Sequence, residues 1–87
     1  MIPKNITKDA IIHAINTVDI DGVPKMREST RYNLIYNDKQ YPPKYLISLA
    51  NKYTNGNELM PQDFSGGKES NEFLRELGFV INGAKEM

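Results

Sequence analysis

Two adjacent prolines, Pro42 and Pro43, constrain the fold of this chain more than any other feature of its sequence. Proline lacks a backbone N–H, so it breaks central strands and helix interiors but suits the first turn of a helix. A strand must therefore end before this pair, and a helix is expected to start at it. We predict that helix over residues 43–53, with a stop at Asn55-Gly56. Its predicted inner stripe is Tyr45, Leu46, Leu49, Ala50 and Tyr53.

The residues before the proline pair show the pattern of a β-hairpin. Side chains alternate between two faces over residues 32–36, which predicts a strand. Asn37-Asp38 tolerates the positive φ angles of a tight turn, and residues 39–41 return as a short second strand. Three hairpin tyrosines either fill the core or stay free to stack on a ligand, and the pattern leaves both open. They are Tyr32, Tyr36 and Tyr41.

Two further helices and a last strand complete the predicted order. Thr7 is a plausible N-cap of the first helix, Asp9 suits its first turn, and Gly22 stops it. The last helix spans residues 68–77 and ends at Gly78, and a strand over 79–81 follows. The fold class is therefore α+β, a small single domain of about three helices packed on a short three-stranded antiparallel sheet (α-β-β-α-α-β). The predicted core is Ile11, Ile15, Val18, Leu34, Leu46, Leu49, Phe73, Leu74, Leu77 and Val80.

The length and the residue types limit both size and chemistry. Eighty-seven residues make one domain, which we assign to residues 1–81, with 82–87 as a polar tail or the start of a linker. The chain has no Cys and a single His, which excludes disulfides, thiol catalysis and His- or Cys-based metal sites. No lysine is preceded by an acidic residue two positions earlier, as a carboxylate-and-lysine nuclease site requires. We therefore expect no catalytic residues, no metal and no cofactor.

No apolar stretch approaches the ~20 residues that cross a bilayer, and no signal peptide follows Met1. We therefore expect a cytoplasmic protein that does not use a membrane as a partner. The one histidine, His13, lies beside the apolar stripe of the first helix and is expected to be an ordinary surface residue.

The zero net charge conceals an uneven distribution. Residues 23–53 hold six cations against two carboxylates, a net charge of +4, and contain all five tyrosines. Such a segment can neutralise phosphates with its cations, read base edges with its amides and stack its aromatic rings on bases. A second motif, residues 65–68, combines glycines, a predicted helix start and a lysine, which suits an anion; alternatively, Ser65 simply caps that helix. The candidate DNA-binding residues are Arg31, Tyr32, Asn33, Lys39, Gln40, Tyr41, Lys44, Ser65, Gly66 and Lys68.

Four short motifs, in this order and spacing, resemble a known family. They are Ser29-Thr30-Arg31-Tyr32-Asn33-Leu34, Tyr41-Pro42-Pro43-Lys44-Tyr45, Phe64-Ser65-Gly66-Gly67 and Leu74-Arg75-Glu76-Leu77-Gly78-Phe79. Over residues 8–81 the chain is similar to the N-terminal head domain of McrA-like modification-dependent HNH restriction endonucleases. The resemblance implies a prokaryotic defence module that does not itself catalyse cleavage, with a downstream nuclease domain or partner subunit.

Two functions fit these observations. The domain either contacts DNA, including modified duplex, through its basic centre, or it is an interaction or dimerisation module that positions a nuclease. Salt-dependent binding to duplex DNA would favour the first function, and a concentration-dependent dimer without DNA binding would favour the second.

Overall fold

The computed structural model describes residues 1–28 and 31–83 of the chain. Six main elements follow in the order α1 (Lys8–Asp21), β1 (Tyr32–Tyr36), β2 (Lys39–Tyr41), α2 (Pro43–Asn55), α3 (Lys68–Glu76) and β3 (Val80–Gly83). Single 3-10 turns lie at Lys25–Arg27 and Pro61–Asp63. The antiparallel sheet has the order β2-β1-β3. The predicted α+β class, with its three helices, three-stranded antiparallel sheet and α-β-β-α-α-β order, is confirmed.

α1 forms for the predicted reasons. The Thr7 hydroxyl accepts the Ala10 N–H at 3.2 Å and so satisfies one of the free donors of the first turn. The helix ends where the Gly22 N–H donates to the Val18 carbonyl at 2.8 Å. One stripe of this helix is buried, namely Ile11, Ala14, Ile15 and Val18. This stripe packs mainly against α2.

The hairpin turn sits where the sequence predicts it. Asn37 and Asp38 have φ angles of 51° and 63°, the left-handed region that a two-residue turn of this kind uses. Leu34 then pairs with Tyr41 on one side and with Ile81 of β3 on the other, so one covered face of the sheet runs through these three buried residues.

α2 starts at Pro43, as predicted, and runs two residues beyond the predicted end before Gly56 stops it with φ of 93°. Residues 45–51 are all buried, so nearly the whole circumference of the helix is covered. The prediction that Tyr53 belongs to the buried stripe is wrong, because its side chain is 37% exposed. It instead stacks on His13 of α1 with ring centroids 3.8 Å apart.

The end of α3 determines where β3 starts and which way Val80 faces. The Gly78 and Phe79 N–H groups return to the Arg75 and Leu74 carbonyls, which closes the helix and turns the chain into β3. β3 starts at Val80, which pairs with Ile35 on the open face of the sheet and is 62% exposed. Val80 was therefore wrongly predicted as core.

Other core predictions differ only at the edges. Phe73 and Leu77 are partly buried rather than enclosed. β3 continues through Asn82 and Gly83, which pair with β1, so the polar tail does not begin at residue 82. The predicted tail residues 84–87 lie outside the described part of the chain. The core also contains residues that the sequence analysis did not select, namely Ile2, Ile6, Ile47, Leu59, Phe64, Phe79 and Ile81.

We expect the Leu46→Ala variant to lose about 2–5 kcal/mol of unfolding free energy, because this leucine is fully enclosed and its removal leaves a cavity. Val80→Ala serves as the control and should stay within about 0.5 kcal/mol of the parent, since Val80 faces solvent. Urea unfolding followed by circular dichroism measures both values. Equal losses for the two variants would contradict the register described for β3.

Tyr41 generates a prediction for high pH. Its ring is buried and its hydroxyl donates to Asp19 Oδ1 at 2.7 Å. Burial, and then the Asp19 carboxylate, raise the pKa of Tyr41 to about 12. The unfolded value is about 10, so the stability that neutral Tyr41 contributes is fully present below pH 10 and is lost as the pH rises towards 12.

We expect Tyr41→Phe to weaken the chain by about 0.5–1.5 kcal/mol at pH 7, through loss of this hydrogen bond, and to flatten the decline of stability between pH 10 and 12. Denaturant unfolding at a series of pH values measures both effects. A variant whose stability falls as steeply as the parent's would show that Tyr41 does not carry the alkaline dependence.

Candidate functional site

A cleft of about 530 Å³ lies on the basic side of the domain. It is bordered by the turn Lys25–Arg27 with Glu28, by the start of β1, by the two prolines at the start of α2, by Pro61, and by the glycines and first turn of α3. We call it the cleft throughout. Among its lining residues are Arg31, Tyr32, Lys44, Gly66, Gly67 and Asn71.

Two glycines bring the start of α3 close to the hairpin side of the cleft. A Cβ atom on Gly66 would lie 3.6 Å from Lys44 Cδ, and one on Gly67 would lie 3.9 Å from Tyr32 Cε2. Gly67 is the N-cap of α3, with φ of 57° and ψ of −120°, and none of the described side chains caps this helix. The uncapped N-terminus of α3 therefore borders the cleft, where its partial positive charge favours an anion.

Ser65 does not cap α3, which corrects the alternative considered from the sequence. Its backbone N–H donates to Glu69 Oε1 at 2.7 Å, and its carbonyl accepts the Ser70 hydroxyl at 2.6 Å. Gly66 and Gly67 separate Ser65 from the first helical turn. The N-cap position is Gly67, so Ser65 lies two residues before the position from which a side chain could cap the helix. These backbone bonds hold the glycine turn in place.

The structure brings two predicted cations, Arg31 and Lys44, to the cleft. Lys44 Nζ also lies 5.1 Å from the centroid of the buried Phe64 ring, an attractive cation–π contact. One carboxylate, Glu28, lines the same cleft. The cleft therefore keeps a positive balance next to the helix N-terminus.

Arg27 also lines the cleft, but its guanidinium is directed into the protein. It donates to the Ser48 hydroxyl at 2.6 Å, lies 3.8 Å from Glu58 Oε2 and sits 5.1 Å from the centroid of the Tyr45 ring. The contacts with Ser48 and Tyr45 attach the 3-10 turn to α2, and the contact with Glu58 attaches it to the loop that follows this helix. Arg27 is thus a structural residue that positions one wall of the cleft.

A second, shallower depression of about 390 Å³ adjoins the cleft. It contains the predicted amides Asn33 and Gln40, and it shares Glu28 and Pro42 with the cleft. The two depressions therefore form one continuous surface on the hairpin side of the domain.

Four other predicted site residues do not line the cleft: Ser65 and Lys68 flank the lining glycines, and Lys39 and Tyr41 belong to the hairpin. Lys39 pairs with Tyr36 at the hairpin turn, so five residues of extended chain, roughly 16 Å, separate it from the level of Arg31. Lys68 is exposed and follows the glycine turn directly, as the first residue of α3. Tyr41 is 4% exposed and packs in the core, so its ring is not available for stacking on a base.

Asn71 is the cleft residue that sequence reasoning missed. It is 4% exposed, and no donor among the described residues reaches its Oδ1 atom. The available signal was its spacing, because Asn71 precedes the buried Leu74 by three positions and so shares the inner face of α3. Buried polar side-chain atoms in native proteins usually have a hydrogen-bond partner, which makes the Oδ1 of Asn71, without a donor among the described residues, unusual.

A third concavity lies on the other side of α3, and we call it the groove. It has a volume of about 710 Å³. Ile2, Ile6, Phe73 and Leu77 give it an apolar floor. Glu69, Glu72 and Glu76 outnumber Lys4 on its rim, which is therefore mostly acidic. α3 is thus the wall between a basic cleft and an acidic groove.

Within residues 1–28 and 31–83, no three His, Asp or Glu side chains come together in a group that could hold a metal ion. The helices in these same ranges are too short or too polar to cross a bilayer.

Comparison with known protein families gives a match over nearly the whole chain. The model of the ScoMcrA-like N-terminal head domain family matches residues 4–83. The chain belongs to this family. No curated protein and no solved structure matches it. The match confirms the resemblance drawn from the sequence motifs and extends it to nearly the whole chain, and the family name associates this head domain with a McrA-like restriction protein.

The glycine turn of the head domain yields a prediction about its stability. We expect Gly67→Ala to cost about 1–3 kcal/mol, because φ of 57° with ψ of −120° is a conformation that alanine rarely adopts. Gly66→Ala is the matched control: its φ lies outside the strained range and its new methyl group would make only an ordinary contact with Lys44. Thermal unfolding of both variants measures the difference. Equal melting temperatures would contradict the geometry of the turn.

Proposed function

We propose that this head domain is the non-catalytic DNA-binding module of a modification-dependent restriction endonuclease, and that it acts in prokaryotic defence. The observation that carries the proposal is the convergence of Arg31 and Lys44 on a cleft bordered by the uncapped N-terminus of α3. The membership in a restriction-associated family supports DNA as the partner.

Phosphate is the group that fits this convergence best. Arginine offers a planar set of donors to phosphate oxygens, and lysine adds a point charge. Backbone N–H groups at a helix N-terminus complete an anion site, and glycines let the phosphate approach the backbone closely. Arg31, Lys44, Gly66 and the neighbouring Ser65 and Lys68 are therefore the proposed phosphate-contacting set.

Base contacts are proposed for the adjoining depression. Asn33 and Gln40 carry both a donor and an acceptor and can contact base edges in a groove of the duplex. Tyr32 supplies an aromatic surface next to them. Lys39, roughly 16 Å along the hairpin, would meet the backbone about five base pairs away, given about 3.4 Å per step. Tyr41 is excluded from the proposed surface because it is buried.

Cleavage is assigned to another part of the system. The sequence lacks the histidines, cysteines and carboxylate–lysine pairs that the common nuclease chemistries use. We therefore propose that a downstream nuclease domain or a partner subunit cuts the DNA that this head domain helps to engage.

A second function, as an interaction or dimerisation module, is favoured by the groove. Its apolar floor and acidic rim are suited to a basic, amphipathic partner segment. The two functions use different sides of α3, so variants of the cleft and of the groove separate them.

We expect the double variant Arg31→Ala/Lys44→Ala to weaken binding to duplex DNA and to lower the slope of log K against log salt by about 1.8, which is about 0.9 for each lost phosphate contact. Fluorescence anisotropy with a labelled duplex at several salt concentrations measures both quantities. Lys39→Ala alone should lower the slope by about 0.9 if the footprint extends along the hairpin.

The charge-matched control is Lys4→Ala/Lys52→Ala, which removes two exposed cations away from the cleft. This control should bind much as the parent does, because neither lysine lines the cleft. Both double variants lose two positive charges, so a difference between them is not an effect of net charge. Replacing Glu69, Glu72 and Glu76 by Gln should leave DNA binding unchanged or stronger. If the parent does not bind DNA and instead forms a concentration-dependent dimer, the interaction module is the correct function.

A further inference from the structure

The starting observation is the carboxamide of Asn71 in the cleft. Asn71 is 4% exposed and lines the cleft, and no described residue donates a hydrogen bond to its Oδ1 atom. A buried acceptor without a donor is costly, and native proteins rarely leave one without a reason. The Oδ1 atom itself has almost no solvent-accessible area, so a donor from a ligand in the cleft reaches it when the carboxamide turns outwards.

The missing partner must carry an N–H or O–H group. A phosphodiester offers only acceptors, so the phosphate of the proposed site cannot satisfy Asn71 Oδ1. The rim of the cleft, by contrast, selects an anion through Arg31, Lys44 and the N-terminus of α3. The ligand therefore combines an anionic group at the rim with a hydrogen-bond donor that reaches inside.

A nucleotide has this combination in one compact unit. Its base presents N–H donors on an edge, and asparagine is a common partner for the exocyclic amino groups of bases. The volume of about 530 Å³ lies within the range of about 300–1,000 Å³ of ligand pockets. Pro42, Pro43 and Pro61 and the aromatic Tyr32 also line the cleft and offer apolar surface to a flat ring.

We propose that the cleft accepts one unpaired nucleotide of a DNA strand, with its phosphate at Arg31 and Lys44 and a base N–H on Asn71 Oδ1. This inference rests on the proposed DNA-binding function and deepens it. In a paired base the Watson–Crick donors already bond to the opposite base. Asn71 Oδ1 lies inside a concavity, so only a base that has left the stack can reach it. An acidic peptide is the other ligand with an anion and N–H donors, and the experiment below tests it separately.

The experiment compares three labelled duplexes of otherwise identical sequence: one fully paired, one with a single unpaired cytosine, and one with an abasic residue at that position. Cytosine is chosen because its N4 amino group is a donor. Fluorescence anisotropy with the 87-residue chain should show about tenfold tighter binding to the cytosine duplex than to the abasic one, the worth of one hydrogen bond to a buried acceptor.

Asn71→Leu tests the assignment of the donor site. It retains a branched side chain of similar shape but removes the acceptor, so the cytosine and abasic duplexes should bind within about twofold of each other. Affinity for the abasic duplex should not fall, because the phosphate contacts remain. Asn82→Leu, the same change on exposed β3, should retain the full cytosine preference. Removing Oδ1 leaves no described donor without its acceptor, and a melting curve of Asn71→Leu shows whether the variant folds.

The comparison on the unmodified chain stands even if Asn71→Leu fails to fold. Equal binding of the cytosine and abasic duplexes by the parent overturns the nucleotide inference, while salt-dependent binding of both leaves the DNA-binding function intact. A cytosine preference that survives in Asn71→Leu also overturns the inference. If no duplex binds and a short Asp- and Glu-rich peptide does, both proposals are overturned.

Discussion

The burial of α2 on nearly all sides is the constraint on which the rest of the domain depends. Residues 45–51 are all enclosed, and the helix contacts α1, α3 and β1. Two of these residues are polar, Ser48 and Asn51, and their groups need partners inside the protein. The Asn51 side chain donates to the Asn57 carbonyl at 2.7 Å, and the Ser48 hydroxyl accepts a hydrogen bond from the guanidinium of Arg27 at 2.6 Å. Because Arg27 belongs to the turn that borders the cleft, the need to satisfy a buried helix also determines where that wall stands.

Local signals in the sequence were sufficient for most of the fold. A capping threonine, a two-residue turn at Asn37-Asp38, a proline pair and a glycine stop each act within a few residues, so the elements they define can be predicted without the tertiary structure. The register of β3 could not be predicted in this way. Three consecutive apolar residues, Phe79 to Ile81, have no alternation of their own, and only the pairing of Ile81 with Leu34 decides that Val80 faces outward.

The residues of the candidate site also differ in whether local sequence signals are enough to predict them. The charge of the basic segment predicts Arg31 and Lys44 as binding residues, and the proline pair and the glycine turn bring both to one cleft. Charge alone could not distinguish Arg27, a structural residue, from the cations that are free to bind a ligand. Its role depends on Ser48 and Glu58, which are distant in sequence. Asn71 was hidden for a related reason, because the absence of a donor to its Oδ1 becomes visible only when the surrounding elements are in place.

The position of α3 between the cleft and the groove has an electrostatic consequence for how this domain approaches another molecule. Cations gather on one side of the helix and carboxylates on the other, and a helix with its side chains is only about 10–12 Å across. The surface potential therefore changes sign over a short distance in a chain whose net charge is zero. Such a molecule feels little overall attraction to a distant polyanion, but the electric field near one exerts a torque on the separated charges and turns the basic side towards it. Encounters are thus sorted by orientation before any contact forms, within about the 8–10 Å Debye length of a physiological solution.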